Sequence, residues 1–163
     1  MSDKIKFNQI IGLDPGPSKS AVVTLWDGRV HSAVEWNNAA LACELAGNNW
    51  RDAAIACEWI ESFGMPVGWE VFETVYWIGR FDEAAGGRIV RLGRKDVKLH
   101  LCQSMRAKDP NVRQSLLDKF APTGGGKTPQ VGTKKHPGPL YGVSNHCWAA
   151  LAVAVTFDET VMR

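Results

Sequence analysis

A chain of 163 residues has room for one domain with a full hydrophobic core, so the expectation is a single domain over 1–163. Hydrophobic residues at 45% and charged residues at 22% exclude a disordered or low-complexity chain, and a net charge of +2 is too small to name a partner. No apolar run approaches the roughly 18–20 residues of a membrane span, and the polar start Met1–Asn8 is no secretory signal, so a cytoplasmic protein with no membrane partner is expected.

After a short polar lead-in, Met1–Phe7, the apolar run at Ile10 and Ile11 ends abruptly in Gly12-Leu13-Asp14-Pro15-Gly16. Pro15 cannot donate to a sheet ladder and Gly16 allows unusual backbone angles, which places Asp14 at the last pairing position of a strand. Ser20–Trp26 and Arg29–Trp36 follow as two further strands, joined by the tight-hairpin pair Asp27-Gly28. Asn37 or Asn38 can cap a helix that Gly47 closes. Ala53-Ala54-Ile55-Ala56-Cys57 reads as a strand covered on both faces, and it ends in a second acid, Glu58.

A loop over Trp59–Val67 leads to a helix over Gly68–Ala85, stopped by Gly86-Gly87. Trp69, Phe72, Tyr76 and Trp77 on that helix read as core and dimer-interface material. Arg88–Leu92 reads as a strand, and Val97–Cys102 as another short extended piece after a basic turn. Asp109 followed by Pro110 predicts the start of a helix over Asn111–Phe120. Ala121–Leu140 is rich in glycine, proline and lysine without apolar period, so a long mobile basic loop is expected at 121–140. The chain closes with an apolar helix over Ser144–Phe157, capped by Ser144 or Asn145 and carrying His146.

This order predicts a mixed sheet with helices on both faces. A buried strand that follows a crossover helix pairs in parallel with an earlier one, so the fourth strand is expected beside the first. Asp14 and Glu58 then become neighbours at one sheet edge, where the last helix can deliver His146. Carboxylates gathered in this way suit hard divalent cations, which take one or two of them together with water and phosphate oxygens. Arg88–Lys98 and Lys127–Lys135 are basic while Asp52–Glu83 carries most central acids, a pattern of basic rims around an acidic centre. Cys43, Cys57, Cys102 and Cys147 lack paired zinc-ligand spacing and read as reduced, mostly buried thiols.

Three segments, Ile-Ile-Gly-Leu-Asp14-Pro-Gly, Ala-Ile-Ala-Cys-Glu58 and His146-Cys-Trp-Ala-Ala-Leu-Ala-Val-Ala, resemble the active-site segments of RuvC-type Holliday-junction resolvases. The resemblance runs from about Ile10 to Val155, apart from the Ala121–Leu140 loop. Ile60–Gly68 and Phe72–Arg80 are similar to bacteriophage members of that group, pointing to a bacterial cell and a phage gene. The resemblance implies an RNase H-like α/β fold with a mixed five-stranded sheet. It also implies a homodimer, two Mg²⁺ or Mn²⁺ ions per active site, and nicking of four-way DNA junctions by two-metal hydrolysis.

Carried over by position, Asp14, Glu58 and His146 match metal ligands, and Lys108 matches a basic residue near the scissile phosphate. The family's last ligand, an Asp, is replaced here by Ala149. Either that metal binds more weakly, or a group such as Asn145 or Glu61 substitutes, or the protein binds junctions and cuts poorly. A different RNase H-like nuclease, acting on flaps, forks or hybrids, is the alternative enzyme. Arg94, Lys127, Lys134 and Lys135 are the expected DNA contacts.

Overall fold

The computed structural model describes residues 7–161, so the expected polar lead-in lies outside the described residues except for Phe7. Five strands, β1 (Gln9–Asp14), β2 (Lys19–Trp26), β3 (Arg29–Asn37), β4 (Ala54–Trp59) and β5 (Ile89–Gly93), form one sheet in the order β3-β2-β1-β4-β5. The first three are antiparallel, whereas β4 runs parallel to both β1 and β5. Asp27 and Gly28 take positive φ values of 47° and 75°, the backbone that a tight right-twisted hairpin needs.

Side-chain alternation along the strands divides the core in two. Ile11, Leu13, Ile55 and Cys57 pack with α1 (Asn38–Ala46) and α2 (Trp69–Ala84) on one face. Ile10, Ala54 and Ala56 pack on the other with α3 (Arg94–Cys102), α4 (Asp109–Lys119) and α5 (Cys147–Thr160). The architecture is therefore the expected α/β one, a mixed five-stranded sheet with helices on both faces. Glycine is required at residue 12, where a Cβ would stand 2.3 Å from the Ala150 carbonyl oxygen and 2.7 Å from Ala154 Cβ. That missing side chain lets α5, itself rich in alanine, lie directly on β1.

Some sequence expectations need correction. Val97–Cys102 is not extended but forms most of α3. The alternation Val97-Lys98-Leu99-His100-Leu101 imitates a strand, yet Leu99 is exposed and only Val97 and Leu101, four residues apart, enter the core. The last helix begins at Cys147, with His146 at its N-cap position and no side-chain cap bond, so neither Ser144 nor Asn145 caps it. In α4 the cap position falls to Lys108, with Asp109 and Pro110 inside the first turn.

The 121–140 segment is a loop, as expected, but one laced by its own backbone. Gly124 N–H donates to Pro129, Gly125 N–H to His136 and Gly138 N–H to Val131, while Leu140 is fully buried. Cys57 and Cys147 are buried, and burial pushes both thiols above their ordinary pKa. Cys102 is half-buried and Cys43 is exposed, against the expectation of mostly buried thiols.

Candidate active site

Strand register creates the site. β1 pairs β4 with Ile10 opposite Ala54 and Gly12 opposite Ala56, which carries Asp14 and Glu58 off adjacent strand ends on the α5 face. Both side chains are only 14% exposed. The Glu58 carboxyl lies beside that of Asp14, close enough to raise its pKa. Burial first, then the hydrogen bond and charge of Glu58, push the Asp14 carboxyl up to about 8, against the lowering influence of Arg94. Crowding of two carboxylates disfavours charge on Asp14, and a bound cation reverses that preference.

The turn after Asp14 is held from below. Ser20 Oγ donates to Asn38 Oδ1 at 2.7 Å, and Asn38 Nδ2 donates to the Gly16 carbonyl at 2.9 Å. Asn38 and Ser20 are both 1% exposed, so this is a buried polar anchor for the Asp14-Pro15-Gly16 turn. The helix cap comes from the neighbouring Asn37, whose side chain accepts from Ala39 N–H at 2.9 Å. Of the two asparagines, one caps and the other fixes the turn after Asp14.

His146 arrives from the opposite direction. Asn145 adopts a left-handed φ of 46° just before it, and the His146 Nδ1 stands 3.5 Å from Asp14 Oδ2 with the ring 74% exposed. Asp14 thus has Glu58 on one side and His146 on another. Around it opens a cavity of about 640 Å³, lined by both signs of charge. Lys19, Arg94, Lys98 and Arg113 supply the bases, and Glu35, Glu70 and Asp109 supply further acids. Arg94 bridges Glu58 Oε1, at 3.1 Å, and Asp109. Burial works against its charge, but Glu58 and Asp109 outweigh that and hold Arg94 more firmly protonated. Arg113 lies over the Trp148 ring, 4.6 Å from its centroid, next to Ala149.

Other predicted residues lie elsewhere. Lys108 is exposed at the head of α4, outside the cavity lining, and so are Lys127, Lys134 and Lys135 on their loop. Ala149 lines the cavity, and of the two expected substitutes only Asn145 joins it there. Glu61 instead packs against Gly93, with Oε1 3.0 Å from where a Cβ would be. Glu35, Asp109 and Arg113 were missed. Glu35 had one available signal: it pairs with Ala21, which pairs with Asp14, so all three share a face of the antiparallel strands.

The donor set suits a hard divalent cation. Two carboxylates at adjacent strand ends, open to a cavity, match the one or two that Mg²⁺ takes beside water and phosphate oxygens. Among the described residues no three His, Cys, Asp or Glu side chains form a ready-made metal cage.

No protein-family model and no curated protein sequence matches this chain. Solved structures do. A Thermus thermophilus RuvC structure aligns with a TM-score of 0.61 at 16% identity, covering 94% of this chain and 97% of its own. T. thermophilus RuvC in complex with a Holliday junction substrate aligns at 0.60 and 18% identity, covering 91% of both chains. Sharing nearly its whole length with these structures, the chain has the RNase H-like α/β fold of RuvC.

Proposed function

We propose that the protein is a metal-dependent endodeoxyribonuclease that resolves four-way DNA junctions. The observation that carries this reading is the meeting of Asp14, Glu58 and His146 at one sheet edge, inside a cavity that also holds Lys19, Arg94, Lys98 and Arg113. The RuvC fold, with one such neighbour bound to a Holliday junction, supports the substrate class.

In this reading Asp14 and Glu58 hold Mg²⁺ or Mn²⁺, with His146 beside them. When bound, the metal supplies charge neutralisation at the phosphate and lowers the pKa of the attacking water. His146 sets one ring nitrogen against Asp14 and offers the other, on its exposed side, to orient that water and take its proton. Lys98 and Arg113 meet backbone phosphates at the cavity, and Lys127, Lys134 and Lys135 meet those of a more distant arm, with Lys108 between. The exposed aromatics Trp69, Phe72 and Tyr76, at helical spacing along α2, suit pairing with a second copy, setting two sites on a two-fold junction.

Ala149 favours a second reading, a junction-binding protein that cuts slowly. The separating experiment is cleavage of a synthetic four-way junction in Mg²⁺. Asp14→Asn is expected to abolish cutting and leave junction binding in Ca²⁺ within about threefold of wild type. Undiminished cutting by that variant removes Asp14 from the chemistry and overturns the proposal.

A further inference from the structure

Glu58 comes to its strand end already engaged. Arg94, the first residue of α3, gives one arm of its guanidinium to Glu58 Oε1 at 3.1 Å and the other to Asp109 Oδ1 at the start of α4. The bridge spans β4, α3 and α4 across the cavity. Glu58 is 14% exposed and Arg94 46%, and both line the cavity, so the guanidinium sits on a carboxylate that the cavity reaches. A cation entering that cavity meets a Glu58 carboxylate with Oε1 already engaged. A guanidinium and a divalent ion cannot share Glu58 Oε1, and against the two oxygens of one carboxylate they repel each other.

We propose that Arg94 is a resident competitor for the divalent cation, a positioning residue that occupies Glu58 until a metal displaces it. The inference rests on the metal-dependent reading of this site. Its second anchor, Asp109, keeps the guanidinium at the cavity after Glu58 lets go. The released fork then faces the substrate, and its planar paired donors match phosphate oxygens as well as they match a carboxylate. Entry of metal and recognition of the backbone are thereby linked: the cation frees the arginine that the phosphate engages. A lysine, as a single point charge, could not bridge the two acids in this way.

The test is Mn²⁺ affinity of DNA-free protein, read from the electron paramagnetic resonance signal of free Mn²⁺ and needing no turnover. Arg94→Ala is expected to bind Mn²⁺ about fivefold more tightly than wild type, the equivalent of losing one partly exposed ion pair. The gain should survive about 0.5 M salt, which screens long-range charge but not a competitor in direct contact. Lys19→Ala removes another cation of the cavity that does not touch Glu58, and any gain there should disappear at that salt. Arg94→Lys keeps the charge and loses the two-armed bridge; it should show an intermediate gain, and it carries the test alone if the alanine variant does not fold. Equal or weaker Mn²⁺ binding by the Arg94 variants, or a gain abolished by salt, overturns the inference while leaving the metal site standing. Failure of wild type and variants alike to bind millimolar Mn²⁺ overturns both.

Discussion

Ala149 and Asp14 are where the proposed chemistry is tested at the scale of single side chains. Ala149 sits one helical turn beyond His146 and lines the same cavity, so a carboxylate there would face the open space beside Asp14. Ala149→Asp is expected to raise the rate of junction cutting in Mg²⁺ by about tenfold, the scale on which contacts supporting a metal site act. A rate unchanged or lowered in single-turnover assays would show that the cavity is already complete without it. Asp14 and Glu58 could be read from the sequence because each ends an apolar run, and the register of β1 on β4 does the rest. Glu35 could be reached only through the hairpin pairing that sets it on the face of Asp14. Asp109 and Arg113 could not, because their places depend on how α4 sits against the sheet edge, which no local pattern in the chain specifies. The role of Asn38 was hidden for a related reason: two adjacent asparagines look equally good as caps, and only tertiary contact with Ser20 and Gly16 separates them.

Elements obey the same division between local signal and tertiary placement. The hairpin, the buried fourth strand and the aromatic helix each announced themselves through turn residues or apolar spacing. α3 did not, because its polar-apolar alternation has the period of a strand and only packing against α4 and α5 settles the matter. The seat of α5 on β1 depends on residue 12. Gly12→Ala places a methyl where the Ala150 carbonyl and the Ala154 methyl already lie, and should cost about 1–3 kcal/mol in urea unfolding. A loss near zero would mean that the helix is free to slide.

At the far side of the same helix, Glu159 joins the three helices, with His100 of α3 at 2.6 Å and Lys119 of α4 at 2.9 Å. Burial works against the Glu159 charge, but the Lys119 and His100 hydrogen bonds outweigh it and hold the carboxyl below its ordinary 4.5. A depressed carboxyl contributes stability that is complete above the unfolded value and lost as pH falls through the folded one. Glu159→Gln should therefore lower the melting temperature at pH 7 and flatten the loss of stability below about pH 4.5. Parallel melting curves for the two proteins across that range would contradict this.

The whole molecule joins one enclosed acidic point to broad basic and apolar surroundings. Its sheet order brings the ends of β1 and β4 together, α5 closes over them, and the cationic side chains of α3 and α4 rim the opening. Fold class was legible throughout, since it needs only the sequence of strands and helices and the handedness of crossovers. The shape of the 121–140 loop was not, because its backbone bonds join residues whose composition signals only irregularity. The central claim is that Asp14 and Glu58 share a divalent cation. Anomalous diffraction from crystals soaked in Mn²⁺ tests it most directly: the account predicts a peak touching both carboxylates with His146 beside it and Arg94 withdrawn from Glu58. A protein that cuts junctions in Mn²⁺ but shows its manganese elsewhere, with Arg94 still on Glu58, would contradict it.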